Sequence, residues 1–384
     1  MITVSQEYQR EAHRSLILDE IRKRGAVSRA ELSRITSLKR PTVSNIIHEL
    51  LPTGIISEVS SGESTPSGGR RPVLLQINNE VRYIIGIDLD LRDAKALLID
   101  LTGRVVDTLV LSYRSDDPHK LIYETVKESY EYFNLCHESP VVAVGIGISG
   151  IVDQRNSSII ESRLHGIRSL NLSELFEDFP VPVLIENDAN SCAGIEIFNS
   201  SSHDLFENGI FVLPRIITEK ESIQSVELGG AVIVNGDIWY GSRFVTGEFS
   251  MKSWFNSPVE QVPFLQEDLK LILSSEERLK DFMKTVLIKL IPAARMLDPD
   301  RIILGGVFAT RFDLFTELLE KELRSSWYDE ADHDKRVRAA YSHQQSIALG
   351  AGIHILRLLY GTPRVGDTLS AVSLSWDQIL TIRG

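Results

Sequence analysis

The most restrictive stretch of this sequence lies between residues 28 and 51. Val43, Ile46, Ile47, Leu50 and Leu51 recur at the spacing of one helical face, which commits that face to a core. Pro41 is acceptable in the first turn of such a helix. Arg40, Thr42, Ser44, Asn45 and His48 are left on the other face. Upstream, Ser28 with Glu31 three residues later reads as a capping box that opens a short helix ending at Ile35. Thr36, Ser37 and Leu38 form the turn, and an earlier helix carrying Leu16, Ile17 and Ile21 stops near Gly25. After Gly54, residues 55–59 and 73–77 read as two strands joined by SSGESTPSGGRRP. Three helices followed by two strands make a winged helix-turn-helix, expected over residues 1–80.

Charge agrees with that reading. Residues 1–75 hold eleven Lys and Arg against eight Asp and Glu, a net +3 within a chain of net −12, leaving −15 for the remainder. Within residues 22–40, seven basic residues face one acid, Glu31. Such a run is either a solvated helix face or the electrostatic footprint of a nucleic-acid-binding module. Arg40, Thr42, Ser44 and Asn45 stand at the start of the third helix, where side chains reach base edges or phosphates in a major groove. Arg70 and Arg71, between two glycines and Pro72, suit phosphates or a narrow minor groove, or else form a solvated turn.

From Tyr83 the pattern changes to apolar strands, at residues 83–89, 94–101, 104–113 and 141–148, with a hairpin turn at Gly103 and a helix over 121–133. Strands at 181–187, 210–214, 228–236 and 301–306, a helix-rich stretch at 262–296 and a long helix near 346–361 complete an α/β body. The last twenty residues carry no assignment. The chain of 384 residues is 43% hydrophobic and 24% charged, ordinary for a soluble protein. No apolar run approaches the roughly 18 residues that cross a bilayer, and the polar N-terminus lacks a signal peptide's apolar stretch, so a cytoplasmic protein without membrane association is expected. Cys136 and Cys192 offer neither a disulfide framework nor a metal-binding spacing.

In order along the chain, SRAELSRITSLKRPTVSNIIHELL, GGRRPVLLQI, GIDLDLRDAKALLIDLTGRVV, GIGISGIVD, ENDAN, ELGGAVIVNGDIWYG, TGE and IILGG resemble a transcriptional regulator of the ROK family (repressors, open reading frames, sugar kinases). The resemblance covers about residues 10–355 and implies an actin-like, two-lobed sugar-kinase (ribonuclease H-like) fold. It also implies a homodimer or homotetramer. The body would run over 81–384, with one lobe of about 81–190 plus the C-terminal helix and a second of about 191–345.

On the sugar side the family pattern is kept. Asp188 matches the family's catalytic base, Asn187 and Glu248 match sugar ligands, and Ser149 and Gly150 match the sugar-facing turn. Paired acids and amides suit a polyhydroxylated ligand, since each buried hydroxyl needs a partner. Asp188 also fits a plain role as the cap of a helix beginning at Ala189.

The nucleotide side departs from it. Family kinases carry an Asp-x-Gly-Gly-Thr loop where this chain has Asp88, Leu89, Asp90, Leu91 and Arg92. Charge at Asp90 and bulk at Leu91 oppose the close backbone approach that glycine gives a phosphate. The second loop, Gly-Thr-Gly in the family, reads Ser225, Val226, Glu227 before Leu228, Gly229 and Gly230, and Gly305 and Gly306 keep only a nucleoside-side turn. The family's zinc signature is a His followed by a Cys-rich segment, but here Met251 takes the His position with no cysteine nearby. Neither zinc nor ATP is therefore expected as a cofactor, and no residue is assigned as catalytic.

The expectation is a repressor of carbohydrate genes, with operator DNA and a sugar or sugar-derivative effector as partners. A sugar kinase with an appended DNA-binding domain, and a ligand-independent regulator, are the two alternatives.

Overall fold

A computed structural model describes residues 6–59, 73–90, 93–112, 117–200, 205–219, 222–248, 275–324, 337–341, 346–362 and 374–382. At the N-terminus, helices α1 (Gln6–Arg24), α2 (Arg29–Ile35) and α3 (Arg40–Leu50) pack with β1 (Val27–Ser28), β2 (Ile56–Val59) and β3 (Leu74–Ile77). The strands form one sheet in the order β1-β3-β2, so the wing gains a first strand that the sequence did not announce. Ser28 Oγ accepts the Glu31 N–H at 3.2 Å, the backbone half of the expected box. The Glu31 carboxylate lies 3.8 Å from Arg34. In α1 the inward face is Ile17, Leu18 and Ile21, whereas Leu16 is only half-buried, a shift from the expected stripe.

Downstream, β4 (Tyr83–Leu89), β5 (Asp93–Asp100) and β6 (Val105–Ser112) form an antiparallel meander. Helix α4 (Pro118–Cys136) then returns the chain to β7 (Val141–Ile148), which runs parallel to β4. Three short strands follow, β8 (Ile151–Asp153), β9 (Ser158–Ser162) and β10 (Ile167–Asn171), as a separate antiparallel sheet. After the short α5 (Leu172–Leu175), β11 (Val183–Asn187) adds to β7 in parallel and closes the order β11-β7-β4-β5-β6. Every residue of β7 is buried, which explains its unbroken apolar run.

Helix α6 (Asp188–Phe198) opens a second sheet built on β12 (Gly209–Glu219), β13 (Ser222–Val234) and β14 (Asp237–Ile238). Helix α7 (Glu276–Leu297) leads to β15 (Arg301–Leu304), and α8 (Gly306–Thr310) and α9 (Phe312–Arg324) lead to β16 (Val337–Ala339). The order β14-β13-β12-β15-β16 repeats the first sheet's plan, since β12 pairs antiparallel with β13 and parallel with β15. Its core joins Val212, Phe282, Leu287, Phe308 and Phe315. The last helices are α10 (Ser346–Tyr360) and α11 (Trp376–Thr381). A capping box at Ser375 and Gln378 opens α11 inside the stretch left unassigned above.

The chain divides into two compact units, Met1–Asn187 with Ile347–Gly384, and Asp188–Ser346. The winged helix clusters with the first of these. Among the described residues no helix is long and apolar enough to cross a membrane.

Candidate nucleic-acid and sugar sites

Helix α3 separates its residues as a recognition helix must. Val43, Ile46, Ile47 and Leu50 are buried, while Arg40, Ser44, Asn45 and His48 are exposed and Thr42 is half-buried. The turn before it is pinned from both sides. Thr36 Oγ1 donates to Leu32 O at 2.6 Å and Ser33 Oγ donates to Leu38 O at 2.7 Å. No side chain caps the helix start at Lys39, so the first backbone N–H groups of α3 stay open to an anion. Arg29 bonds Glu58 at 2.8 Å and ties the start of α2 to β2. Arg70 and Arg71 lie outside the described residues, as do Leu91 and Met251.

The expected sugar residues divide between the two units. Ser149, Gly150 and Asn187 belong to the first, and Asp188 and Glu248 to the second. In the first unit the turn and the amide meet, because Asn187 Nδ2 donates to Gly150 O at 2.9 Å. Gly150 has φ +143°, and a Cβ there would stand 2.9 Å from Ser162 Cα, so glycine is required twice over. Ser162 Oγ donates to Ser149 O at 2.6 Å and lies 2.9 Å from His165 Nδ1, which fixes the turn from β9. The buried Glu186 carboxylate accepts the Asn187 N–H at 2.8 Å.

In the second unit, Asp188 is the first residue of α6, not the cap of a helix beginning at Ala189, and its Oδ1 accepts the Ala189 N–H at 2.8 Å. Its Oδ2 faces Arg215 Nη1 at 3.4 Å, with both side chains nearly buried. Sequence reading missed Arg215; a lone cation ending the apolar strand at 210–214 was the available signal. Glu248 is exposed and its N–H reaches Val245 O at 3.3 Å. Gly247, just before it, sits directly on the Gly230 carbonyl, and a Cβ on Gly229 would stand 3.7 Å from Asp188 Oδ1. The Gly229–Gly230 pair thus brings the Glu248 turn and the start of α6 together.

The stretches matched to phosphate loops have other uses for their backbone. The Asp90 N–H donates to Asp93 O at 3.0 Å in the β4–β5 turn. Ser225, Val226 and Glu227 pair in register with Ile217, Ile216 and Arg215 within the β12–β13 ladder. Gly305 donates to Val212 O at 2.8 Å, and a Cβ on it would stand 2.7 Å from the Phe211 ring. Among the described residues no group of three or more His, Cys, Asp or Glu could hold a metal ion.

Comparison with known proteins settles the lineage of this body. Residues 84–250, from β4 to just past the Glu248 turn, match the ROK family. Over this segment the chain belongs to the ROK family. Its relatives include the xylose repressor of Bacillus subtilis, 32% identical over 264 residues, covering 67% of this chain and 65% of the relative. The chain thus spans just under two-thirds of that relative's length. The DNA-binding transcriptional dual regulator NagC of Escherichia coli is 26% identical over 229 residues, 58% of this chain and 53% of NagC.

Among solved structures, a ROK family transcriptional regulator, a homologue of the Escherichia coli Mlc protein, superposes with TM-score 0.75 at 16% identity. That match covers 97% of this chain and 99% of the other. A ROK family glucokinase from Streptomyces griseus gives TM-score 0.54 at 18% identity over 70% of this chain and 98% of its own. At such identities the likeness concerns the fold, a two-lobed α/β architecture shared by regulators and kinases.

Proposed function

We propose that this ROK protein is a sequence-specific, sugar-responsive transcriptional regulator, a repressor of carbohydrate genes whose body senses rather than phosphorylates its ligand. The observation that carries the reading is α3, whose polar residues Arg40, Ser44 and Asn45 are exposed over a fully buried apolar face, within a chain that also holds a ROK body. The names of its relatives, xylose repressor and NagC, support a carbohydrate effector, and a pentose such as xylose is the first to try.

A sensing role without transfer is supported by three arrangements. Asp188 is held against Arg215, the Asp90 N–H is used within its own turn, and the second phosphate-loop segment is a β ladder. Phosphoryl transfer depends on backbone donors arranged around phosphates, and strand pairing takes up alternate ones. Asn187, Asp188 and Glu248, with Ser149 and Gly150, are the residues proposed to meet the sugar. The protein acts as a homodimer or homotetramer in this reading.

Duplexes selected from random DNA by the purified protein, then titrated with and without D-xylose, N-acetylglucosamine and their phosphates, test the proposal. A consensus sequence and a sugar-dependent change in affinity are expected. Rapid ATP-dependent phosphorylation of any of these sugars, abolished by Asp188→Asn, would turn the reading to a kinase. Elemental analysis is expected to find no stoichiometric zinc.

A further inference from the structure

Helix α10 touches two distant parts of the first unit. At its middle, His354 Nδ1 lies 3.4 Å from Glu186 Oε2, and the two side chains are 7% and 2% exposed. The other oxygen of Glu186 accepts the Asn187 N–H at 2.8 Å, and Asn187 Nδ2 reaches Gly150 O at 2.9 Å. Imidazole, carboxylate and amide therefore form one line of contacts behind the proposed sugar residue.

The end of α10 grips the winged helix. Leu359 O accepts from Ser15 Oγ at 2.9 Å and from Trp376 Nε1 at 2.7 Å. The Arg22 guanidinium of α1 lies 5.3 Å from the centre of the Tyr360 ring, and Trp376 meets the same ring edge-on at 5.3 Å. Trp376, fully buried, donates its backbone N–H to Glu11 Oε1 at 2.7 Å. Arg14 donates to Glu11 at 3.0 Å and to Asp377 at 2.7 Å.

Leu359 lies five helix steps beyond His354, about 7.5 Å along the axis. In the turns just before His354, α10 lies flush on the sheet. A Cβ on Gly86 would overlap the Ala348 carbonyl, and one on Gly145 would meet Ala351. With no slack beneath it, the helix passes on a shift at His354 as a movement of its whole body, because packed elements slide or rotate as units.

We infer that Glu186 and His354 are positioning residues that register the state of Asn187 on α10, and that Leu359 and Tyr360 deliver it to α1 through Ser15, Arg22 and Trp376. The inference rests on the proposed reading of Asn187 as a sugar contact and of residues 1–80 as the DNA-binding module. It states an energetic coupling, and coupling is measured by a double-mutant cycle.

The cycle pairs His354→Leu with Ser15→Ala, and separately with Trp376→Phe, in the full chain without ligand. Sites with no shared partner add to within roughly twofold. The relay requires deviations beyond that in the opening equilibria of α1 amides, read by hydrogen exchange. Where His354→Leu does not fold, Glu186→Gln, which keeps an acceptor for the Asn187 N–H, takes its place. In a second arm, Ser15→Ala and Trp376→Phe are expected to bind D-xylose or N-acetylglucosamine as the wild type does, while the sugar's effect on affinity for the selected duplex disappears. Additive exchange throughout the cycle, or a full sugar response in both far-end variants, overturns the relay. If no sugar moves DNA affinity in the wild type while the cycle stays non-additive, the sugar reading fails and the relay stands.

Discussion

Arg215 Nη1 stands 3.4 Å from Asp188 Oδ2, with side-chain exposures of 9% and 7%, at the position where the resemblance to family kinases implies a base. A general base has to take a proton from its substrate and hold it. A guanidinium alongside favours the ionised carboxylate and has no acceptor with which to relay a proton. In the proposed reading the ionised carboxylate serves as an acceptor for sugar hydroxyls. The proposed reading, in which the sugar is bound but not phosphorylated, turns on this contact.

Arg215→Met removes the guanidinium that faces the nearly buried Asp188 carboxylate. Breaking a buried pair from one side costs about 3–5 kcal/mol, so urea unfolding of this variant should show a loss of that order. Arg215→Met with Asp188→Leu should lose less than the two single changes summed. A single-variant loss below about 1 kcal/mol would mean that the pair is not a structural contact, because that is the range of an exposed one.

Arg40 and Asn45 are exposed on α3, so neither substitution should disturb folding. Arg40→Ala is expected to weaken binding to every duplex and to lower the salt slope by about 0.9, the signature of one phosphate contact. Asn45→Ala is expected to narrow the gap between selected and random duplexes by about 1–3 kcal/mol, as loss of a base contact does. Filter binding over a salt series distinguishes the two, and a salt slope unaltered by Arg40→Ala would take that residue away from phosphate.

What the sequence made legible follows burial. Strands β4 and β7 read cleanly because they are apolar on both faces, and α3 reads cleanly because its buried stripe never breaks. The β8–β10 sheet was invisible, since residues 151–171 mix polar and apolar side chains with no period. The shared plan of the two large sheets was hidden for a different reason: strand order is set by pairing, which leaves no repeat in the sequence. Asn187 and Gly150 were found through motifs, but their hydrogen bond spans 37 positions. Arg215 and His354 were missed because an isolated charge in an apolar segment does not say which partner it meets. Helix α11 was within reach, for Ser375 and Gln378 carry a recognisable capping box.

Gly150 is expected to tolerate no side chain. Its φ of +143° and the 2.9 Å approach of Ser162 Cα to a built Cβ act together, so Gly150→Ala should cost at least the 1–3 kcal/mol typical of a strained backbone position. Any sugar bound at the Asn187 turn should be lost with it. Unchanged thermal stability would show that the turn relaxes freely and does not hold Asn187 in place.

Glu11 gives the junction between α1 and α11 a pH signature. Burial pushes its carboxyl above the ordinary value near 4.5, and the Trp376 N–H and Arg14, which act the other way, do not cancel the effect. The folded chain therefore holds this proton more tightly than the unfolded chain. Its contribution to stability is complete below about pH 4.5 and is lost as pH rises through the raised folded value. Glu11→Gln keeps an oxygen for the Trp376 N–H and removes the titration. Asp107, which the His137 hydrogen bond holds low, loses stability in the opposite direction as pH falls. Both chains carry Asp107, so it cancels in the difference between them. Thermal unfolding between pH 4 and 7 should show wild type losing ground to Glu11→Gln as pH rises above about 4.5, then a constant difference. Parallel pH profiles would mean that Glu11 is open to solvent, and that α11 does not cover α1.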